Sequence, residues 1–151
     1  MFKRFKSKPD DVHIEGLGAF RYFEDEVDKY WELTSVFGDP ANAIRLDFCA
    51  VDGDSNGTKE TAKDALLALL NDPTALWSLV DHKVVEAVKG GASEINEANF
   101  KEHFFVKTLT VSDFGFFEVG FHSKSKDVFL ELFVRQGVVT DMDRDYGCCA
   151  Q

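Results

Sequence analysis

The string Asp52-Gly53-Asp54-Ser55-Asn56-Gly57 sets short oxygen side chains at alternate positions and a glycine at the sixth, the spacing by which an EF-hand loop wraps a hard cation. Calcium binding through Asp52, Asp54 and Asn56 is one expectation. The twelfth position, where a bidentate glutamate should close the cage, is Lys63, whose ammonium would repel the ion. The competing expectation is a polar strand-to-helix turn, in which Asp, Asn and Gly serve turn and capping needs. Asp141, Asp143 and Asp145 also alternate, with Arg144 among them, and would line one side of an extended segment. Such a row suits weak divalent binding, a basic partner or a solvated chain end.

Other reactive side chains form no constellation. His13, His82, His103 and His122 are scattered without ligand spacing. There is no Gly-x-Ser-x-Gly and no Walker loop, and Gly16-Leu17-Gly18 lacks the third glycine of a phosphate cradle. The three cysteines, Cys49 in an apolar segment and the vicinal Cys148-Cys149, are an odd count with neither a disulfide framework nor metal spacing, which points to a reducing cytoplasm. The expectation is a protein with no catalytic residue and no cofactor.

Charge narrows the partner class. The chain of 151 residues carries a net charge of −10. Lys3, Arg4, Lys6 and Lys8 place four positive charges in the first eight residues, so residues 9–151 carry −14. That balance disfavours nucleic acid, which is engaged first through a positive patch, and favours a basic protein. Pro9-Asp10-Asp11 follows the basic start where a secretory signal would need an apolar run, and no segment has the length of a membrane span, so neither export nor integral membrane association is expected.

The elements that must position these residues can be read from periodicity. Ile14 to Phe23 reads as a glycine-interrupted strand, Tyr30 to Phe37 as a second, with Trp31, Leu33 and Ser35 on one face, and Ala43 to Val51 as a third. In the third, Ile44, Leu46, Phe48 and Ala50 share a face. From Thr58 the apolar period becomes helical: Ala62, Ala65, Leu66, Leu69 and Leu70 form one stripe. Asp72-Pro73 starts a second helix with the stripe Leu76, Trp77, Val80, Val84, Ala87 and Val88, stopped by Gly90-Gly91. Leu69 and Trp77 are expected in the core. A weaker helical turn near 96–103 precedes strands at 105–111, 116–122, 128–135 and 138–142.

These elements predict an α+β fold: an antiparallel sheet with a pair of antiparallel helices packed on one face, in the order β-β-β-α-α-β-β-β-(β). Residues 1–11 are expected to be a flexible tail, 12–147 one domain and 148–151 a C-terminal tail. Val128, Leu130, Leu132 and Val134 must face the core, which puts Phe129, Glu131, Phe133 and Arg135 on the opposite side, beside Phe116, Glu118, Gly120 and His122. If uncovered, Phe116, Phe129 and Phe133 are anchors of a binding surface.

The succession Leu17-Gly18-Ala19-Phe20-Arg21-Tyr22, Tyr30-Trp31-Glu32, Ile44-Arg45-Leu46-Asp47-Phe48, a helix pair, and Phe129 to Val139 resembles small bacterial domains of unknown function related to immunity proteins of polymorphic-toxin systems. The resemblance spans residues 14–147. It implies a non-enzymatic binding protein that occludes a toxin's site, with an acidic surface suited to basic nuclease toxins. Where those families carry a Gly-His pair before the final strand, this chain has Val128-Phe129, so no functional residue is transferred. The expected partner-binding residues are Glu24, Asp25, Glu26, Phe129, Phe133, Asp141, Asp143 and Asp145. The alternatives are a calcium-binding module on the Asp52–Gly57 loop, or a small-ligand-binding or hydrolytic enzyme in a cleft between sheet and helices.

Overall fold

A computed structural model describes residues 8–89, 94–112, 115–124 and 128–146, without the side chains of Lys89, Asp145 and Tyr146. Residues 1–7 of the tail expected at 1–11, the tail expected at 148–151, the Gly90-Gly91 helix stop, the cysteine pair Cys148-Cys149, and parts of the turns at 112–115 and 123–127 lie outside the described residues.

The chain opens with the hairpin β1 (Val12–Ile14) and β2 (Gly18–Glu24), followed by β3 (Lys29–Leu33) and the short β4 (Phe37–Asp39). The long β5 (Ile44–Asp54) turns tightly into β6 (Gly57–Thr58). Four short helices follow, α1 (Glu60–Asn71), α2 (Thr74–Trp77), α3 (His82–Lys89) and α4 (Phe100–His103). The C-terminal meander is β7 (Phe104–Val111), β8 (Phe116–Ser123), β9 (Val128–Arg135) and β10 (Val138–Tyr146). All ten strands form one sheet with the main path β1-β2-β3-β5-β7-β8-β9-β10, while β4 and β6 pair with β5.

This architecture corrects the expected fold class in two ways. The sheet is mixed, because β5 and β7 pair in parallel at its centre whereas the other strand pairs are antiparallel. The helical stretch between them is the cause: a parallel neighbour requires a crossover that carries the chain back to its starting end, and helices supply it. Nor do the described residues form a pair of antiparallel helices packed on the sheet. Residues 72–89, read as one helix from a continuous apolar stripe, divide into α2 and α3, and the molecule is dominated by strands. The division is local chemistry, since the Asp81 carboxylate accepts a hydrogen bond from the Val84 amide at 3.1 Å, which caps a fresh helix start.

One face of the sheet holds the core. Phe20, Trp31, Leu33, Val51, Leu109, Val119, Phe121, Leu130 and Leu132 are buried together with Ala62 and Leu66 of α1, Leu76 of α2, and Val84, Val85 and Val88 of α3. Trp77 and Leu69 are half-buried and pack against this core. Trp77 lies 5.2 Å from the Phe121 ring, and its indole N–H donates to the Asn42 carbonyl at 3.0 Å, so the half-open ring still has its polar atom satisfied. Alternation on β5 does not run unbroken. Ile44 and Leu46 face the core, but the register against β7 shifts between Ile44 and Phe48, after which Cys49 and Val51 take the buried side and Phe48 the other. A bulge changes which parity faces inward.

Candidate functional site

Among the described residues the N-terminal strands extend the sheet sideways and do not fold over its face away from the helices. Cross-strand register sets its rows. Asp141 stands opposite Phe133, Phe133 opposite Glu118, and Glu118 opposite Thr110; next to them run Asp143, Glu131, Gly120, Thr108 and Phe48. Residues directly opposite each other share a face, as do residues two apart on one strand, so four carboxylates and three phenylalanines belong to one surface, with Phe129 two residues from Glu131 on β9. Phe129, Phe133 and Phe48 are half-buried.

Two features show how tightly this surface is built. Gly120 has no room for a side chain: an added Cβ would meet the Thr108 hydroxyl oxygen at 2.2 Å and the Phe129 ring at 2.5 Å. The ring of Phe129 therefore lies over the glycine. The Glu118 carboxyl is crowded enough, although its residue is exposed, that desolvation pushes its pKa up. Desolvation also raises Glu131, helped by the negative charges of Glu118 and Asp143. Around them, the Arg135 guanidinium covers Phe116 at 4.5 Å, so that ring is engaged within the chain. An aromatic run of Phe23, Tyr30 and Phe48, with ring separations of 4.8 and 6.2 Å, continues the face toward the N-terminal strands.

The expected partner-binding residues fall into two groups. Phe129, Phe133, Asp141 and Asp143 come together here, and the Asp145 backbone pairs opposite Phe129 while its side chain lies outside the described ones. Glu24, Asp25 and Glu26 sit at the β2–β3 turn, with four strands between β3 and β10. At about 4.8 Å per strand step that separates the two groups by roughly 24 Å, so they do not form one rim. Asp25 there shapes the turn, accepting from the Val27 and Asp28 amides at 2.8 and 2.7 Å, and these bonds lower its pKa. Arg144 faces the other way, its guanidinium donating to the Ala87 carbonyl of α3.

The Asp52–Gly57 string forms the tight β5–β6 connection and not a strand-to-helix turn. Asp52 accepts from the Gly53 amide and Asp54 from the Asn56 amide, while the Asp54 carbonyl accepts the Trp31 indole N–H at 2.9 Å. A Cβ on Gly53 would come within 2.8 Å of that indole, so the glycine lets the hairpin close on Trp31. Lys63 is turned to Glu60 at 3.3 Å. Among the described residues no three His, Cys, Asp or Glu side chains gather as a metal site.

A cleft of about 560 Å³ separates the α2–α3 segment from β10, with Leu79, Val84, Val139 and Met142 as its apolar lining and Asp81, Lys83 and Asp141 as its ionisable groups. Cys49 is buried and its thiol is pushed up to about 12 by desolvation, which removes it from nucleophilic chemistry in the folded chain. Among the described residues no helix is long and apolar enough to cross a membrane.

Sequence reasoning placed Glu118 and Glu131 on this face without singling them out, and missed Phe48 and Tyr30. The available signal was the pattern Phe116-Phe117-Glu118 and Leu130-Glu131-Leu132, a carboxylate inside an aromatic or aliphatic strand. No family model matches the chain, and searches of curated proteins and of solved structures find no match.

Proposed function

We propose that this chain is a non-enzymatic, immunity-like binding domain whose open sheet face receives a basic protein in the bacterial cytoplasm. The observation that carries the proposal is the combination on one face of Glu118, Glu131, Asp141 and Asp143 with half-buried Phe48, Phe129 and Phe133. Aromatic side chains supply apolar anchor area, and crowded carboxylates gain by meeting a cation that replaces lost solvation. The net charge of −10 favours the same partner class, and the sequence resemblance supplies the biological setting: a basic toxin whose site is occluded.

The test is affinity capture from the cell that encodes the chain, followed by binding measurements with Glu118→Lys, Glu131→Lys and Phe133→Ala. The expected partner is basic, and each substitution weakens binding at least tenfold while the far-UV spectrum is unchanged. An acidic partner, or a basic one indifferent to all three substitutions, overturns the proposal.

A further inference from the structure

Of the two ends of the sheet path, β1 is three residues long and β10 is nine. Among the described residues, β10 has β9 as its single strand neighbour. The far side of a strand edge presents N–H and C=O groups that can serve as a template for another strand, and on β10 the Met142 amide donates to the Asp141 carboxylate at 2.9 Å, a bond that an added strand would take over, freeing the carboxylate. The two faces of this edge differ in chemistry. By register Val138, which is 63% exposed, Asp141 and Asp143 belong to the open face, and at this edge Val138 and Asp141 also border the cleft beside the α2–α3 segment. On the helix face stand half-buried Val139 and Met142, which form one wall of the 560 Å³ cleft with Leu79 and Val84 opposite. Arg144, tied to Ala87, marks the end of this apolar stretch.

We infer that β10 accepts an added strand from the partner, an extended segment in which Lys or Arg alternates with aliphatic residues. Side chains of a strand alternate in direction, so the aliphatic set enters the cleft against Val139 and Met142 while the cationic set reaches Asp141 and Asp143. A second copy of this chain is a poor occupant, because pairing β10 with itself brings like charges across the new ladder. The inference rests on the basic-partner reading and adds the mode of engagement.

The probe is a capped nine-residue peptide of alternating Lys and Val, titrated into the full chain by calorimetry and by amide NMR. In a strand all Lys amides point to one side and all Val amides to the other. The expected result is saturable binding with shifts concentrated in residues 138–144. N-methylation of one set, Lys or Val, should weaken it at least tenfold, and N-methylation of the other set should leave it within twofold. Asp141→Lys with Asp143→Lys should transfer preference to a Glu/Val peptide. Binding that ignores both methylation patterns, a block peptide of the same composition that binds as well, or no saturable binding at all overturns strand addition. The basic-partner reading is judged separately through Glu118→Lys, because Glu118 lies on β8, which does not pair with β10, whereas Phe133 and Glu131 stand directly opposite Asp141 and Asp143.

Discussion

Gly120 is the tightest point of the open face, and its neighbours make the consequence of a methyl group calculable. Phe129 and Thr108 close on it from adjacent strands, so Gly120→Ala must displace an aromatic ring or part the β7–β8 pair. Overpacking of that kind costs about 1–3 kcal/mol. In urea denaturation Gly120→Ala should unfold earlier than the parent, and Phe129→Leu in the same chain should recover part of the loss; strictly additive effects would show that the ring does not cover the glycine. The two glutamates beside it set a pH dependence. Glu118 and Glu131 have folded pKa values raised by desolvation, so between the unfolded value, about 4.3, and the folded one the native chain binds more protons than the unfolded chain. Stability is free of this penalty below that window and falls as pH rises through it. Glu118→Gln and Glu131→Gln should therefore stabilise the chain at pH 7, with the gain vanishing near pH 4 when the same denaturation is repeated there. The side on which Phe129, Glu131 and Phe133 lie was legible from strand alternation alone. The side of Phe48 was not, because a bulge reverses parity and leaves no mark in residue type.

At the scale of elements, α1 and β7 to β9 follow from periodicity, and the β9 bounds agree with the pattern Val128 to Arg135. The break between α2 and α3 escapes it, since the apolar spacing of Leu76, Val80 and Val84 persists across the break. What divides the helices is one competing hydrogen bond. Asp81→Ala should cost about 0.5–2 kcal/mol through loss of the cap on Val84, read as a lowered thermal midpoint with loss of α3 amide protection. An unchanged midpoint would mean that packing alone starts the helix. Within α1 the stripe itself has graded depth: Leu66 is fully buried and Leu69 half-buried. Leu66→Ala should lose about 2–5 kcal/mol and Leu69→Ala distinctly less, because a cavity is left only where neighbours enclose the deleted atoms. Equal losses would place both side chains at the same depth.

For the whole molecule, the parallel pair β5–β7 was the least legible feature. Strand and helix patterns specify which segments pair with something, but the direction of pairing depends on where the helical residues between them deliver the chain. That crossover brings Phe48 of the N-terminal half beside Thr108 and Gly120 of the C-terminal meander, and so creates one face from two halves of the sequence. Charge was legible from composition, whereas its placement was not. Asp141 and Asp143 lie on the open face at the β10 edge, and the Glu24–Glu26 turn lies across the sheet, so a partner approaching β10 meets one cluster first. With −14 on residues 9–151, association with a basic partner should be fastest at low salt and slow as the Debye length falls below about 8–10 Å. Asp141→Asn with Asp143→Asn should reduce the association rate roughly two- to fivefold at low salt and flatten its salt dependence, with the dissociation rate much less affected, since rim charges act mainly on encounter. Stopped-flow association across a salt series checks this. A rate indifferent to both salt and substitution would remove electrostatic steering and leave the aromatic anchors Phe129 and Phe133 to determine binding through the dissociation rate.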